Sequence, residues 1–504
     1  MKNPFRERQN APVAIITITV MLGLIMAIID ATIVNVALNN IGGNLGASID
    51  EVSWVATGYI LASVITMPLN GWLTAYFGRK NFYAGCLAIF TIASFLCGTA
   101  TSIWQLVFYR VLQGFGGGAL QPTAQAILFE TYPQEKRGAA MAIFGMGAMV
   151  GPAVGPLLGG YLVDNFSWPL IFFVNIPIGI VAFLMTLAFI PNPHFIEKPK
   201  GGIDWLGLGL LSAGLAALQY VLERGQHDDW YTSGTIWVLT IVAAGALLWF
   251  IWKTLKDRYP LVDLNVFRYR TFTIGNIIGI VTGFGLFGTS LILPLYFQTV
   301  LGFTAYDTGL ALLPGAIATA FSMLIVGRMI NNVDPRLLVG FGMLVFGAAT
   351  WWMGDLNQYA GYWDVFWPRL VQGFGLGFLF VPLSTVTLGA VPRAELAGAT
   401  GVSTLVRQLG GSLGIAVLTT LLTREAAVAW SALASGVTQA HAHGHSIGQL
   451  TGLVATASQV IAYDYLFRIS GLIFFICIPL VIFMRPSRRD GNTPVPAKAA
   501  LAAE

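Results

Sequence analysis

Long apolar runs separated by short polar stretches fill the chain, and each run lasts for 18 residues or more without the alternation of a barrel strand. They fall near 12–36, 51–76, 80–100, 103–131, 137–163, 168–190, 204–225, 234–255, 272–300, 306–331, 335–353, 362–388, 395–423 and 465–485. A helix needs about 20 residues to cross the hydrocarbon, so the pattern predicts fourteen transmembrane helices and an all-α polytopic membrane protein.

The two ends of this series resemble each other. Tyr109–Gly118 (YRVLQGFGGG) recurs 259 positions later as Pro368–Gly377 (PRLVQGFGLG), and Pro133 and Gly151 find mates in Pro392 and Gly410 at the same shift. The repeat predicts two six-helix bundles with pseudo-two-fold symmetry, 12–190 and 272–485. The linker 191–271 carries two inserted transmembrane helices, and the tails are 1–11 and 486–504. Parallel halves related by an axis along the membrane normal place a binding site between them, near the midplane. The Ala/Ser/Gly-rich segment 424–464 reads as an outer loop, partly helical and partly loose.

Composition agrees with the pattern: 56% of the 504 residues are hydrophobic and 10% charged, where a soluble domain carries about a quarter charged. Of the 27 Lys and Arg, 21 fall in the tails and alternate loops. That asymmetry puts both termini in the cytoplasm and explains the net charge of +4 without nucleic acid. The first apolar run is too long for a signal-peptide core. Cys86, Cys97 and Cys477 all lie in spanning runs and imply no disulfide framework.

Within this apolar background, a few polar residues point to chemistry. Asp30 lies inside the first helix, where a carboxylate is costly unless it has a function. At ~1.5 Å per residue it lies ~27 Å from the cytoplasmic start, while Arg110 lies ~10 Å into the fourth helix from the other side, at similar depth. Movement of Arg110, or arrival of a cation, would change how Asp30 holds a proton. The competing reading is a static ion pair that fixes helix packing. Arg369, the repeat mate of Arg110, has no matching carboxylate; it and Arg407 are candidates for substrate contact or gating, or for structural bonds to carbonyls. Gly147, Gly151, Gly155 and Gly159 form a stripe, interleaved with Pro152 and Pro156, that suits a hinge helix moving against the opposite half. Gly71, Gly78, Arg79 and Lys80 form a candidate gate loop or a basic anchor. Tyr59, Met67, Phe144, Tyr296, Phe297 and Phe380 are aromatic and methionine candidates for a substrate pocket between the halves.

Three enzyme-like patterns carry no such chemistry. Gly114–Ala119 mimics a dinucleotide fingerprint but lies in an apolar run, and Gly410–Gly414 mimics a nucleophile elbow with no histidine in any spanning run. His441, His443 and His445 read as a solvated, pH-sensitive loop rather than a metal site. No Walker A sequence is present, so no ATP hydrolysis or cofactor is expected.

Gly71–Lys80, Arg110–Gly118 and Gly147–Gly160 resemble the signature sequences of the major facilitator superfamily. The Asp30 segment, the fourteen runs and the long outer loop are similar to its fourteen-helix drug:proton antiporter branch. Glu223–Trp230, Val262–Leu264 and Thr271–Gly275 resemble the EmrB-type inner-membrane pumps. The resemblance implies export of amphipathic toxic compounds against proton flow, with Asp30 in coupling, Arg110 in proton relay and the glycine/proline helix in the antiport transition. It also implies a periplasmic adaptor and an outer-membrane channel as partners. The Asp and Arg usual in the loop motif are Ala75 and Tyr76 here, so a charge-based cytoplasmic latch is not expected in this half. A dedicated exporter of one metabolite, such as a fatty acid, siderophore or antibiotic, is the alternative.

Overall fold

The computed structural model describes residues 12–192, 199, 202–257, 259–436 and 447–484. The two tails, and the histidines at 441, 443 and 445, lie outside the described residues.

Helices account for the architecture, and no strand occurs among the described residues. The first half comprises α1 (Val13–Leu45), α2 (Ile49–Phe77), α3 (Arg79–Gly98), α4 (Ile103–Thr131), α5 (Arg137–Asn165) and a broken sixth span, α6 (Leu170–Phe173) with α7 (Asn175–Phe189). The inserted pair is α8 (Trp205–Arg224) and α9 (Gly234–Lys256). The second half comprises α10 (Arg270–Thr299), α11 (Ala305–Met329), α12 (Pro335–Trp352), α13 (Tyr362–Gly389), α14 (Leu396–Gly436) and α15 (Ile447–Cys477).

Local chemistry sets several of these ends. Ser48 and Glu51 form a reciprocal capping box at the start of α2, after Gly46 has turned the chain at φ 62°, satisfying amides that a helix start leaves bare. Thr304 and Asp307 do the same for α11.

Thirteen of the described helices are long and apolar enough to cross a membrane. The fourteenth expected span, α4, has the length, 29 residues, but not the apolarity. It carries Arg110, Gln113, Thr123 and Gln125, all buried, and packs against α2 and α3. Because its polar groups meet protein rather than lipid, α4 tolerates a composition that a lipid-facing helix could not.

The repeat extends to element boundaries. Shifting α4 by 259 residues lands on α13, the 3₁₀ turn Gln134–Lys136 lands on Arg393–Glu395, and the start of α5 lands on the start of α14. Of the segment 424–464, the described residues are helical, with α14 running 41 residues to Gly436 and α15 beginning at Ile447; residues 437–446 lie outside the described residues. At ~1.5 Å per residue α14 is ~62 Å long, about twice the hydrocarbon thickness.

Between the halves, contact concentrates at the end that carries the basic loops. There α2 lies on α14 and α5 on α11. Gly71 sits against the backbone of Gly398, and Gly138 against Ile330 and Gly327, approaches that leave no space for a larger side chain. At the opposite end α1 and α2 make no extensive packing against α10 and α11.

Candidate functional site

Asp30 and Arg110 face each other in the interior of the first half, with 0% and 1% of their surfaces exposed. Arg110 Nη1 lies 2.5 Å from Asp30 Oδ2. Gln113 Nε2 and Asn175 Nδ2 both donate to the other carboxylate oxygen, at 2.9 and 2.7 Å. Ser94 Oγ accepts from the same two amides and donates to the Phe172 carbonyl. Arg110 spreads its remaining donors over Gln113 Oε1 and the Val55 carbonyl, and its guanidinium lies 4.3 Å from the centre of the Tyr59 ring. Four helices and the broken sixth span thus supply one closed shell.

Two consequences follow from that shell. Every donor that touches Asp30 is buried and satisfied, the condition under which an ion pair is tolerated in a low-dielectric interior. And every member belongs to the first half: Asp30 does not line the cavity between the halves described below. The shell members Gln113, Asn175 and Ser94 escaped sequence reasoning. Gln113 recurs as Gln372 in the repeated YRVLQG and PRLVQG segments, but nothing local marks Asn175 or Ser94 as its partners.

The second half repeats the geometry without the acid. Arg369 Nη1 hydrogen-bonds Gln372 Oε1, and Gln372 Nε2 donates to Thr350 Oγ1 at 2.9 Å. The position equivalent to Asp30 is Thr289, whose hydroxyl returns to the Gly285 carbonyl. Arg369 packs against Gly315 of α11 and does not line the central cavity.

That cavity is small, about 30 Å³, and lies between α4 of the first half and α10, α13 and α14 of the second. Phe380 and Arg407 line it together with Gln125, Asn276, Ser384, Thr387 and Ser403, and no acidic residue does. Arg407 lies over the Phe380 ring at 5.3 Å. One Arg407 terminal nitrogen, Gln125 Oε1, Thr387 Oγ1 and Ser403 Oγ are buried with unused hydrogen-bonding capacity. A buried polar group without a partner costs about 1–3 kcal/mol, so this cluster suits a ligand that brings its own polar group.

The other pocket candidates lie elsewhere. Phe144 is fully buried and stacks on Phe380 with centroids 6.3 Å apart, joining α5 to α13 beside the cavity. Tyr59 serves Arg110. Met67 packs in the cluster between α2, α8 and α14, and Tyr296 and Phe297 pack with Tyr463 and Phe467 inside the second half. Their apolarity reflects core packing, the commoner fate of aromatic residues in helices of this kind.

The glycine stripe also differs from expectation. Gly147, Gly151, Gly155 and Gly159 do not face the opposite half; a side chain at any of them would strike Met21, Ile28, Thr32 or Ile33 of α1. Thr32 Oγ1 donates across this contact to the Gly151 carbonyl at 3.0 Å. The same helix meets the opposite half earlier, through Gly138 and Gly145. Pro152 and Pro156 lie within continuous helix.

At the gate loop Gly78 adopts φ 80°, which favours glycine. Arg79 forms a 2.6 Å ion pair with Glu130, and Arg393 of the second half lies within electrostatic reach of that carboxylate. Neither Ala75 nor Tyr76 supplies a charge here; the Arg79–Glu130 pair joins α3 to α4 within the first half. Asn70 adds a neutral link, donating to the Ala397 carbonyl at 2.8 Å while accepting from Thr123. Lys80 contributes its backbone N–H to Asn192.

Two repeated bundles with a cavity between them define a polytopic membrane transporter rather than an enzyme. The chain belongs to the Major Facilitator Superfamily, whose profile matches residues 20–415. It is 35% identical to the multidrug export protein EmrB of Escherichia coli K12 over 95% of this chain and 96% of that one. It is also 35% identical to the fatty acid resistance protein FarB of Neisseria gonorrhoeae, over 96% and 98%. Among solved structures, the human organic anion transporter MFSD10 superposes with a TM-score of 0.63 at 13% identity, covering 94% of this chain and all of that one, a likeness of fold alone.

Proposed function

We propose that the chain exports amphipathic toxic compounds across a bacterial inner membrane in exchange for protons. The similarity to EmrB supports multidrug efflux, and the observation that carries proton coupling is the Asp30–Arg110 pair, a fully buried carboxylate inside a spanning helix with no repeat mate. One proton crossing 100 mV releases about 2.3 kcal/mol, enough for roughly a fifty-fold gradient of a neutral solute. The cycle uses Asp30 as the proton carrier, Arg110 as its relay and the Phe380–Arg407 cavity as the substrate site. The structure is then a state closed to the cytoplasm, with Gly71 against Gly398 as the closed gate. Asp30 meets water only in another state, when α1 and α5 shift together. A periplasmic adaptor and an outer-membrane channel complete the export route, and both termini are cytoplasmic.

The test is counterflow of a fluorescent cation in proteoliposomes under an imposed pH gradient. Wild type accumulates the dye; Asp30→Asn exchanges it without accumulation. Equal pumping by the variant would remove the coupling role.

A second reading is export of one anionic metabolite such as a fatty acid. Arg407 favours it, lining the cavity with no acidic neighbour, and the similarity to FarB fits it. Resistance to many unrelated compounds on overexpression supports the first reading, resistance to a single class the second. Arg407→Gln is expected to lower transport of carboxylates about tenfold or more while sparing neutral compounds, the loss of one charge-assisted bond of about 1.5–3 kcal/mol.

A further inference from the structure

The inserted helix α8 carries Glu223, which lies outside the Asp30 shell. α8 packs on α2 of the first half and on α14 of the second, and thus covers one of the two seams between them. On α2, the Val55 carbonyl and Tyr59 serve Arg110. Two residues away, on the other side of the same turns, Ser53 accepts from Arg224 at 2.6 Å and Thr57 lies beside Glu223. Positions 55 and 59 lie one turn apart on one face, and 53 and 57 on the opposite face. Glu223 and Asp30 therefore stand at the same depth with α2 between them.

From Glu223 a hydrogen-bonded chain crosses to the second half. Gln219 Nε2 donates to Glu223 Oε1 at 2.8 Å and to Ser412 Oγ of α14 at 2.7 Å. Gln219 Oε1 is buried and has no hydrogen-bond partner. Two turns along α14 from Ser412, Thr420 Oγ1 accepts from Trp230 Nε1 at 2.9 Å. The surrounding charges are otherwise engaged. Arg224 bonds Ser53 and lies over Trp54, His227 bridges Asp50 and Asp228, and Glu51 caps α2. On α14 the guanidinium of Arg407 lies over Phe380, and on α9 Lys253 pairs with Asp204 and Asp257 at the opposite end.

We propose that Glu223 is a second proton-accepting carboxylate of the transport cycle, and that its protonation turns Gln219 away from Ser412 and frees α14 from the inserted helix. As a carboxylate, Glu223 accepts one N–H of the Gln219 amide and so aims the other at Ser412. With a proton from the outer water it becomes a donor, and rotation of the Gln219 amide presents it with Oε1, which is otherwise without a hydrogen-bond partner. The rotated amide no longer donates to Ser412. The proton thereby loosens the seam on the same level at which Asp30 is held. The inference rests on the antiport reading above.

The experiment uses the full chain in proteoliposomes with ethidium as the probe. Two quantities are read: the pH profile of exchange at equal pH on both sides, and the protons moved per dye from the reversal point under opposed pH gradients. In wild type, exchange carries an acid-side limb. Glu223→Gln fixes the donor form, so the limb is lost and the proton count drops to that of Asp30 alone. Gln219→Ala keeps the carboxyl but removes the relay, and loses the limb with the count unchanged; Glu223→Asp keeps both. If Glu223→Gln retains the wild-type limb and count, the proposal is overturned. If that variant does not fold, a wild-type limb in Gln219→Ala overturns it instead. Failure of wild type to exchange ethidium for protons would sink the antiport reading, a result distinguishable from these.

Discussion

Asp30 accepts from three donors, and each of them was desolvated to meet a negative charge. Replacing it with Asn keeps the shape and leaves Arg110 as an uncompensated buried cation. Removal of one partner from a buried pair costs about 3–5 kcal/mol. Asp30→Asn is therefore expected to lower the thermal unfolding midpoint of the purified protein as well as uncouple transport. The double variant Asp30→Asn with Arg110→Gln removes both charges and should regain most of the lost stability, because neutral amides can satisfy one another. It should not regain proton-driven accumulation. Thermal unfolding and dye accumulation, measured on the same preparations, separate the structural from the coupling role; recovery of accumulation in the double variant would show that the pair only holds helices together.

Among helices, the contact between α1 and α5 ties Asp30 to the rest of the cycle. Ile28, Thr32 and Ile33 flank Asp30 on α1 and rest on the glycines of α5. With no side chain at those positions the backbones approach closely, and dispersion together with the Thr32–Gly151 hydrogen bond holds them. A movement of α5 against the second half, through Gly138 and Gly145, is thus delivered to Asp30. Gly155→Leu should wedge the helices apart, costing about 1–3 kcal/mol as an overpacked site, and should impair ethidium accumulation more than ethidium binding. A variant that transports normally would show that α1 and α5 need not stay in register. Gly160, which has open space beside it, is the control position: Gly160→Leu is expected to be tolerated.

For the whole molecule, alternation requires the gate at Gly71 and Gly398 to open. Placing cysteine at Ala142 of α5 and Gly327 of α11, at the same closed end and in a background lacking Cys477, should yield a disulfide, since a β-carbon at Gly327 falls 3.1 Å from that of Ala142. The locked protein is expected to lose transport and recover it on reduction, with dye efflux from vesicles as the measurement. Efflux that persists while the cross-link is intact would mean that this end is not the gate. Arg79–Glu130 and Asn70–Ala397 at the same end predict that Glu130→Gln weakens closure without abolishing transport.

The chain itself determined the helical class, the two repeated halves, the inserted pair and the depth at which Asp30 meets Arg110. Those follow from local composition and from counting residues along helices of fixed rise, and the lipid enforces both by demanding apolar spans with internally paired backbones. Tertiary structure alone decided which face of each helix meets which neighbour. An apolar face reads the same in sequence whether it touches lipid or protein. For that reason the glycine stripe of α5 was legible, but not its partner α1; Phe380 and Arg407 were legible as candidates, but not their separation from Tyr296 and Phe297. Glu130, Asn175 and Gln219 each gain their meaning from a partner at least 50 residues away, and only the lateral packing of the helices brings those partners into reach.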